Sequence, residues 1–257
     1  VWGGEDPDKS YLDAATTDIP VIIWDFDHHC NWVNSKALEL AGIDAAFAKD
    51  FNAKAGNVQI AVDKDGNPTG YLQEGACNLM DSLMPQYSEK ELKYCIDIWS
   101  EYGVTAVNEM SAFHKYEDPV FSQLETLRDA GELNVRQILS VNCDTTDEQL
   151  SNMVDRFNKD SDDMINFGGL KIMIDGVGST YNASMLQPYV DTETCGPEVY
   201  YSVDQLSQYI QKAARHDLVT HFHVCGDKAV RTALDAYQNA ADKGVKLNKG
   251  FSIDHCD

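Results

Sequence analysis

Positive charge is scarce in this chain. Only 20 lysines and arginines stand against 42 aspartates and glutamates in 257 residues, a formal charge of −22 at pH 7. Such a surface repels a phosphate backbone, which excludes nucleic-acid binding as a function class. Small molecules, neutral or cationic, remain compatible ligands. Long apolar runs are missing too. No stretch reaches the roughly eighteen apolar residues of a helical membrane span, so no membrane partner is expected. The first residues carry no leader pattern. The seven cysteines, at 30, 77, 95, 143, 195, 225 and 256, are odd in number and include no Cys-x-x-Cys pair. They read as reduced thiols of a cytoplasmic protein, not as a disulfide frame. There is no Gly-x-Ser-x-Gly nucleophile elbow, and Gly176-Val177-Gly178-Ser179 lacks the Lys-Ser/Thr pair of a phosphate loop. Internal repeats and low-complexity segments are absent.

What is present is enough apolar material, 43 % of residues, for one large domain or a core domain with an insertion. Strands are expected at 104–109, 135–141, 169–175, 218–223 and 251–255. Helices are expected between them, at 118–130, 146–157, 202–215 and 227–241. Ser202-Val203-Asp204-Gln205 reads as a capping box that opens one of those helices. Five strands with four intervening helices predict an α/β fold, a parallel sheet or part of a (β/α)8 TIM barrel. Residues 1–100 read as α+β. They hold a strand over 19–26, a helix over 34–41, strands at 58–62 and 69–73 flanking a turn, and a helix opened by Ser88-Glu89-Lys90-Glu91. The expected domains are an α+β insertion or lid over 1–100 and a partial barrel over 101–257.

The chemistry concentrates in His221-Phe222-His223-Val224-Cys225-Gly226-Asp227 and in Ile253-Asp254-His255. Histidines two apart on a strand share a face, and strand ends in a parallel α/β enzyme deliver side chains to one rim. His223 and His255 are the candidate metal ligands, neutral imidazole being a common zinc ligand. The plain alternative is a hydrogen-bonded rim histidine. His221 lies deeper, as ligand or as support to one. Lys171 stands among apolar residues in an interior strand, where a lysine is costly unless altered, paired or functional. It carries a carboxylate that bridges metals, forms a Schiff base, or reaches a carboxylate such as Asp175. Glu74, Glu109 and Asp175 are weaker acid–base candidates. Cys225 is a nucleophile by position, with packing as its plain reading. In Asp27-His28-His29-Cys30-Asn31-Trp32-Val33-Asn34-Ser35 the adjacent histidines face opposite ways. The stretch reads as a loop in which His29 contacts substrate, while Asn34 or Ser35 caps the next helix.

These motifs, in order, resemble those of the metal-dependent amidohydrolases, in particular the amidohydrolase-3 or YtcJ-like branch that includes N-substituted formamide deformylases. The segment from Leu12-Asp13-Ala14-Ala15 to Pro20-Val21 is similar to the one preceding the family's Asp-Gly-His. Asp27-His28-His29 with Trp32-Val33-Asn34-Ser35-Lys36-Ala37-Leu38 resembles Asp-Gly-His and Trp-Val-Asn-Ser-x-Ala-Leu. The run from Asp65-Gly66 through Pro68-Thr69-Gly70 to Glu74 resembles Asp-Gly-x-Pro-Thr-Gly-x-Leu-x-Glu. Gly103-Val104-Thr105, the strand around Lys171, and Gln187-Pro188-Tyr189 with Asp191 follow in the family's order. His223-Val224-Cys225-Gly226-Asp227-Lys228-Ala229-Val230 resembles His-Ala-Ile-Gly-Asp-x-Ala-Val, and Asp254-His255 stands where Glu-His is usual.

The resemblance implies a partial TIM barrel, about strands 2 to 6, with Lys171, His223 and His255 on strands 4, 5 and 6 as catalytic and metal-ligating residues. It implies one or two divalent ions, zinc foremost, with Lys171 carboxylated, and His29 and Glu74 lining the substrate pocket. The implied activity is hydrolysis of a carbon–nitrogen bond, other than a peptide bond, in an amide-like small molecule. Two motifs of the superfamily, a first-strand His-x-His and an eighth-strand aspartate, have no counterpart here. The sequence therefore predicts an incomplete catalytic domain, inactive alone. Exposed sheet edges would let it self-associate. The alternatives are a Schiff-base lyase using Lys171 and a non-catalytic binding module.

Overall fold

Alternation of side chains along the short strands of the amino-terminal half builds one half-buried antiparallel sheet. The computed structural model describes residues 6–26, 28–55, 59–85, 88–110, 118–159, 163–247 and 249–256. They fall into two compact units, residues 1–86 and 87–257.

The first unit runs α1 (Lys9–Asp13), β1 (Ile22–Trp24), β2 (Cys30–Val33), α2 (Ser35–Leu40), α3 (Ala45–Ala55), β3 (Ile60–Val62) and β4 (Pro68–Gln73), then a 3-10 helix over Glu74–Leu83. Its sheet order is β1-β2-β4-β3, all antiparallel. In β4 buried and half-buried residues alternate, the period-2 signature of a sheet with one face on a core. That core is Val33, Leu38, Ile60, Leu72 and Met80 with their neighbours. The stretch expected as a loop around Trp32 is in fact β2, paired with β4 through Asn31 and Leu72. Asn34 does cap α2: its buried carboxamide oxygen accepts from Ala37 N at 3.0 Å and Val21 N at 3.0 Å.

The second unit begins with α4 (Glu89–Glu101), a helix counted with the first half on composition. It continues β5 (Ala106–Glu109), α5 (Pro119–Asp129), β6 (Arg136–Asn142), α6 (Asp147–Asn158), β7 (Ile165–Met173), α7 (Val203–Arg215), β8 (Val219–Val224), α8 (Asp227–Asp242) and β9 (Ser252–His255). The five strands form one parallel sheet in sequence order, β5 to β9, curled as half of a barrel. Capping boxes at Ser88, Thr146 and Ser202 start α4, α6 and α7, and Pro119 occupies the first turn of α5. One face of the sheet, with Leu139, Val141, Leu170, Ile172, Phe222 and Val224, packs on helical residues such as Phe121, Leu150, Phe157, Leu206, Ile210 and Ala233. Each fully buried Leu, Ile or Phe there contributes about 1.5–3 kcal/mol. No helix among the described residues is long and apolar enough to cross a membrane.

Candidate metal and catalytic site

Because one face of β7, β8 and β9 is committed to the helices, alternation turns every other residue of these strands to the opposite face. Lys171 pairs in register with His221, His221 with Ser252, and His223 with Asp254. Gly169, Lys171, His221, His223, Ser252 and Asp254 therefore share the inner face of the curled sheet. Lys171, His221 and His223 are all buried.

Lys171 has a partner, and it is not Asp175. Its Nζ donates to Asp254 Oδ2 at 2.5 Å, and the Ser252 hydroxyl donates to the same carboxylate. Burial alone would push the Asp254 carboxyl up, but the Lys171 amine and the Ser252 hydroxyl outweigh it and hold it below the usual carboxylate range. Sequence reasoning named Asp175 because it lies on the same segment. Choosing Asp254 required the register between strands.

His221 sits against Gly169. A Cβ on residue 169 would lie 2.6 Å from the imidazole Cδ2 and 2.8 Å from Nε2, so only glycine leaves room for the ring. Burial pushes the His221 pKa down, with Lys171 adding to the effect and Asp254 opposing it. The ring is thus a neutral imidazole at neutral pH. Its Nδ1 is buried without a hydrogen-bond partner among the described residues. An unsatisfied buried group of this kind costs about 1–3 kcal/mol, and a bound ion or water relieves it. His221 carries more weight than sequence position gave it.

His255 ends β9 and is exposed. It has φ 77° and Cys256 has φ 60°, a left-handed pair that is uncommon outside glycine and marks a sharp exit from the strand. The His255 and His223 rings meet edge to face with centroids 4.6 Å apart. Two histidines from neighbouring strands thus come together at one end of the sheet.

Asp175, beyond the end of β7, is fully buried. Its Oδ2 accepts from Ser184 N at 3.0 Å and Gly226 N at 2.8 Å, and its Oδ1 from Cys225 N at 3.0 Å. It ties the turn after β8 to the loop after β7. The two segments touch so closely that a Cβ on residue 226 would lie 1.9 Å from Ser184 O. Cys225 Sγ lies 3.5 Å from His223 Nε2. Donor atoms of Asp175, His223 and Cys225 all fall within 4.8 Å of one another. An imidazole and a thiol in one buried patch suit a divalent ion of borderline softness.

His29 and Glu74 form a separate pair within the first unit. His29 Nδ1 and Glu74 Oε2 are 2.7 Å apart, and Glu74 N donates to His29 O at 2.8 Å. Glu74 has φ 49° and the neighbouring His28 has φ 62°, strained positions for residues with side chains. Glu109 ends β5, an edge strand of the second unit's sheet.

Comparison with known proteins places the chain in a family. The sequence profile described as "Amidohydrolase family" matches residues 3–257. An N-substituted formamide deformylase from Arthrobacter pascens is 24% identical over 267 residues, covering 95% of this chain and 46% of that protein. The exoenzymes regulatory protein AepA of Pectobacterium carotovorum subsp. carotovorum is 24% identical over 256 residues, covering 97% of this chain and 53% of that one. A crystal structure of an uncharacterized metal-dependent hydrolase from Pyrococcus horikoshii OT3 superposes with a TM-score of 0.60 at 22% identity, over 92% of this chain and 45% of that one. The chain spans about half the length of the curated relatives it matches.

Proposed function

The chain belongs to the amidohydrolase family, and on that premise we propose that it is part of a metal-dependent hydrolase cleaving a non-peptide, amide-like carbon–nitrogen bond of a small molecule. The observation that carries the proposal is the shared inner face of β7, β8 and β9, with Lys171 in register with His221, His223 in register with Asp254, and His255 brought against His223. A divalent ion held there, zinc by donor chemistry, would polarise a carbonyl oxygen and acidify water.

The side chains have distinct parts. His223 and His255 supply imidazole donors. Lys171 joins them in a carboxylated form. That change would exchange an ammonium for an anion beside Asp254, and a divalent ion held by the site would balance the added charge. Burial keeps His221 neutral, so it adds no positive charge to repel a metal. In the first unit, Glu74 fixes the ring orientation of His29, which contacts substrate. The same reading takes the protein as cytoplasmic, with a self-association surface at the sheet edges.

Elemental analysis tests the proposal directly. The chain should carry about one to two equivalents of a divalent metal, lost in the double variant His223→Ala, His255→Ala and removed by a chelator. Unchanged metal content in the double variant would move the centre away from these histidines. Metal absent from the protein as purified and after incubation with zinc would remove the proposal for this chain.

A further inference from the structure

We propose that Cys225 is a sulfur donor to the metal centre, so that the ion at the His223 end of the site carries a thiolate. This deepens the metal-dependent reading above and rests on it. Zinc–sulfur and zinc–nitrogen bonds are about 2.3 and 2.0–2.1 Å, and a tetrahedral angle between them sets the two donors about 3.5 Å apart. Cys225 Sγ and His223 Nε2 stand 3.5 Å apart. Both side chains are buried, and a carboxylate oxygen of Asp175 lies in the same patch, within 4.8 Å of both donors.

The backbone explains why the sulfur stays there. Cys225 follows β8 directly, two residues after His223, and the chain brings its thiol against that imidazole. The Asp175 carboxylate accepts from the amides of Cys225 and Gly226 and fixes the residue that carries the thiol. By accepting from three amides, Asp175 acts as a positioning residue for the thiol. Val177 and Ala183 pack with Cys225, and Met185 and Tyr189 lie against them, which keeps water from the sulfur. The thiol stands where the family motif carries an isoleucine, so this donor is a property of the chain and not of the motif. A thiolate favours zinc or cadmium over magnesium or calcium.

The test is cobalt(II) loading of the chain, read by absorption and by metal content. Wild type should show thiolate-to-cobalt charge-transfer absorption in the near ultraviolet. Cys225→Ser should lose that band while still binding cobalt through the histidines. Cys256→Ser, which removes the exposed thiol after His255, should keep it. Cobalt bound to wild type without the band, or a band that survives Cys225→Ser, overturns the proposal and leaves the histidine centre standing. No cobalt bound to wild type overturns the proposal together with the reading beneath it. X-ray absorption of the zinc-loaded Cys256→Ser protein needs no change at Cys225: a zinc–sulfur shell near about 2.3 Å supports the proposal, and a shell of nitrogen and oxygen alone rejects it.

Discussion

A single ion pair decides what Lys171 can do. Its amine and the Asp254 carboxylate are almost wholly shielded from solvent, with side-chain exposures of 6% and 9%, so removing one partner leaves a buried charge uncompensated. Asp254→Asn should cost about 3–5 kcal/mol in denaturant unfolding of the metal-free protein. The pH dependence follows from the same pair. The folded Asp254 pKa lies below its unfolded value, so its contribution is complete above the unfolded carboxylate pKa and is lost as pH falls through the folded one. Wild type should therefore lose stability on acidification over that range with a steeper slope than Asp254→Asn. Equal slopes would show that Asp254 does not couple to folding. The histidine and lysine positions were readable from residue type and spacing. The partner of Lys171 was not, because it depends on which residue of β9 lies level with His223, a fact of register that no local window holds.

At the scale of elements, local chemistry was the most legible. Ser202 and Gln205 exchange hydrogen bonds as a capping box at the start of α7, as their spacing predicts. Ser202→Ala should cost about 1 kcal/mol in thermal or denaturant unfolding, and Gln205→Ala less. A cost near zero would mean that α7 is held by its buried face, Leu206, Ile210 and Ala213, without help from the cap. Elements that depend on distant pairing were not legible. β2 is only Cys30–Val33 and exists through pairing with β1 and β4, so a polar stretch with one tryptophan reads as loop. The helix α3, rich in alanine and lysine, has a weakly sided pattern and a single fully buried residue, Ala48. The 3-10 helix opens on a left-handed Glu74 that no glycine announces.

At the scale of the whole molecule, charge and sheet edges oppose each other. Among the described residues β5 and β9 end the five-stranded sheet, and edge strands invite pairing between chains. A formal charge of −22 works against it by repulsion, and salt screens that repulsion, the Debye length falling from about 30 Å at 0.01 M to about 3 Å at 1 M. Raising the salt should therefore promote self-association in sedimentation velocity. A salt-independent monomer would show that the edges are covered. The parallel α/β alternation behind this sheet was plain in the sequence, since each helix and strand has its own period. The compact units divide between residues 86 and 87, and α4 shares Ile96 with the core of the second unit.

The three amides held by Asp175 have a consequence in time. Ser184, Cys225 and Gly226 belong to two segments far apart in sequence, yet all three N–H groups end on one carboxylate. Releasing that side chain exposes them together. In deuterium exchange they should open as one event with a common protection factor, and Asp175→Asn should accelerate all three. Separate rates in wild type would mean that the loop after β7 and the turn after β8 breathe independently.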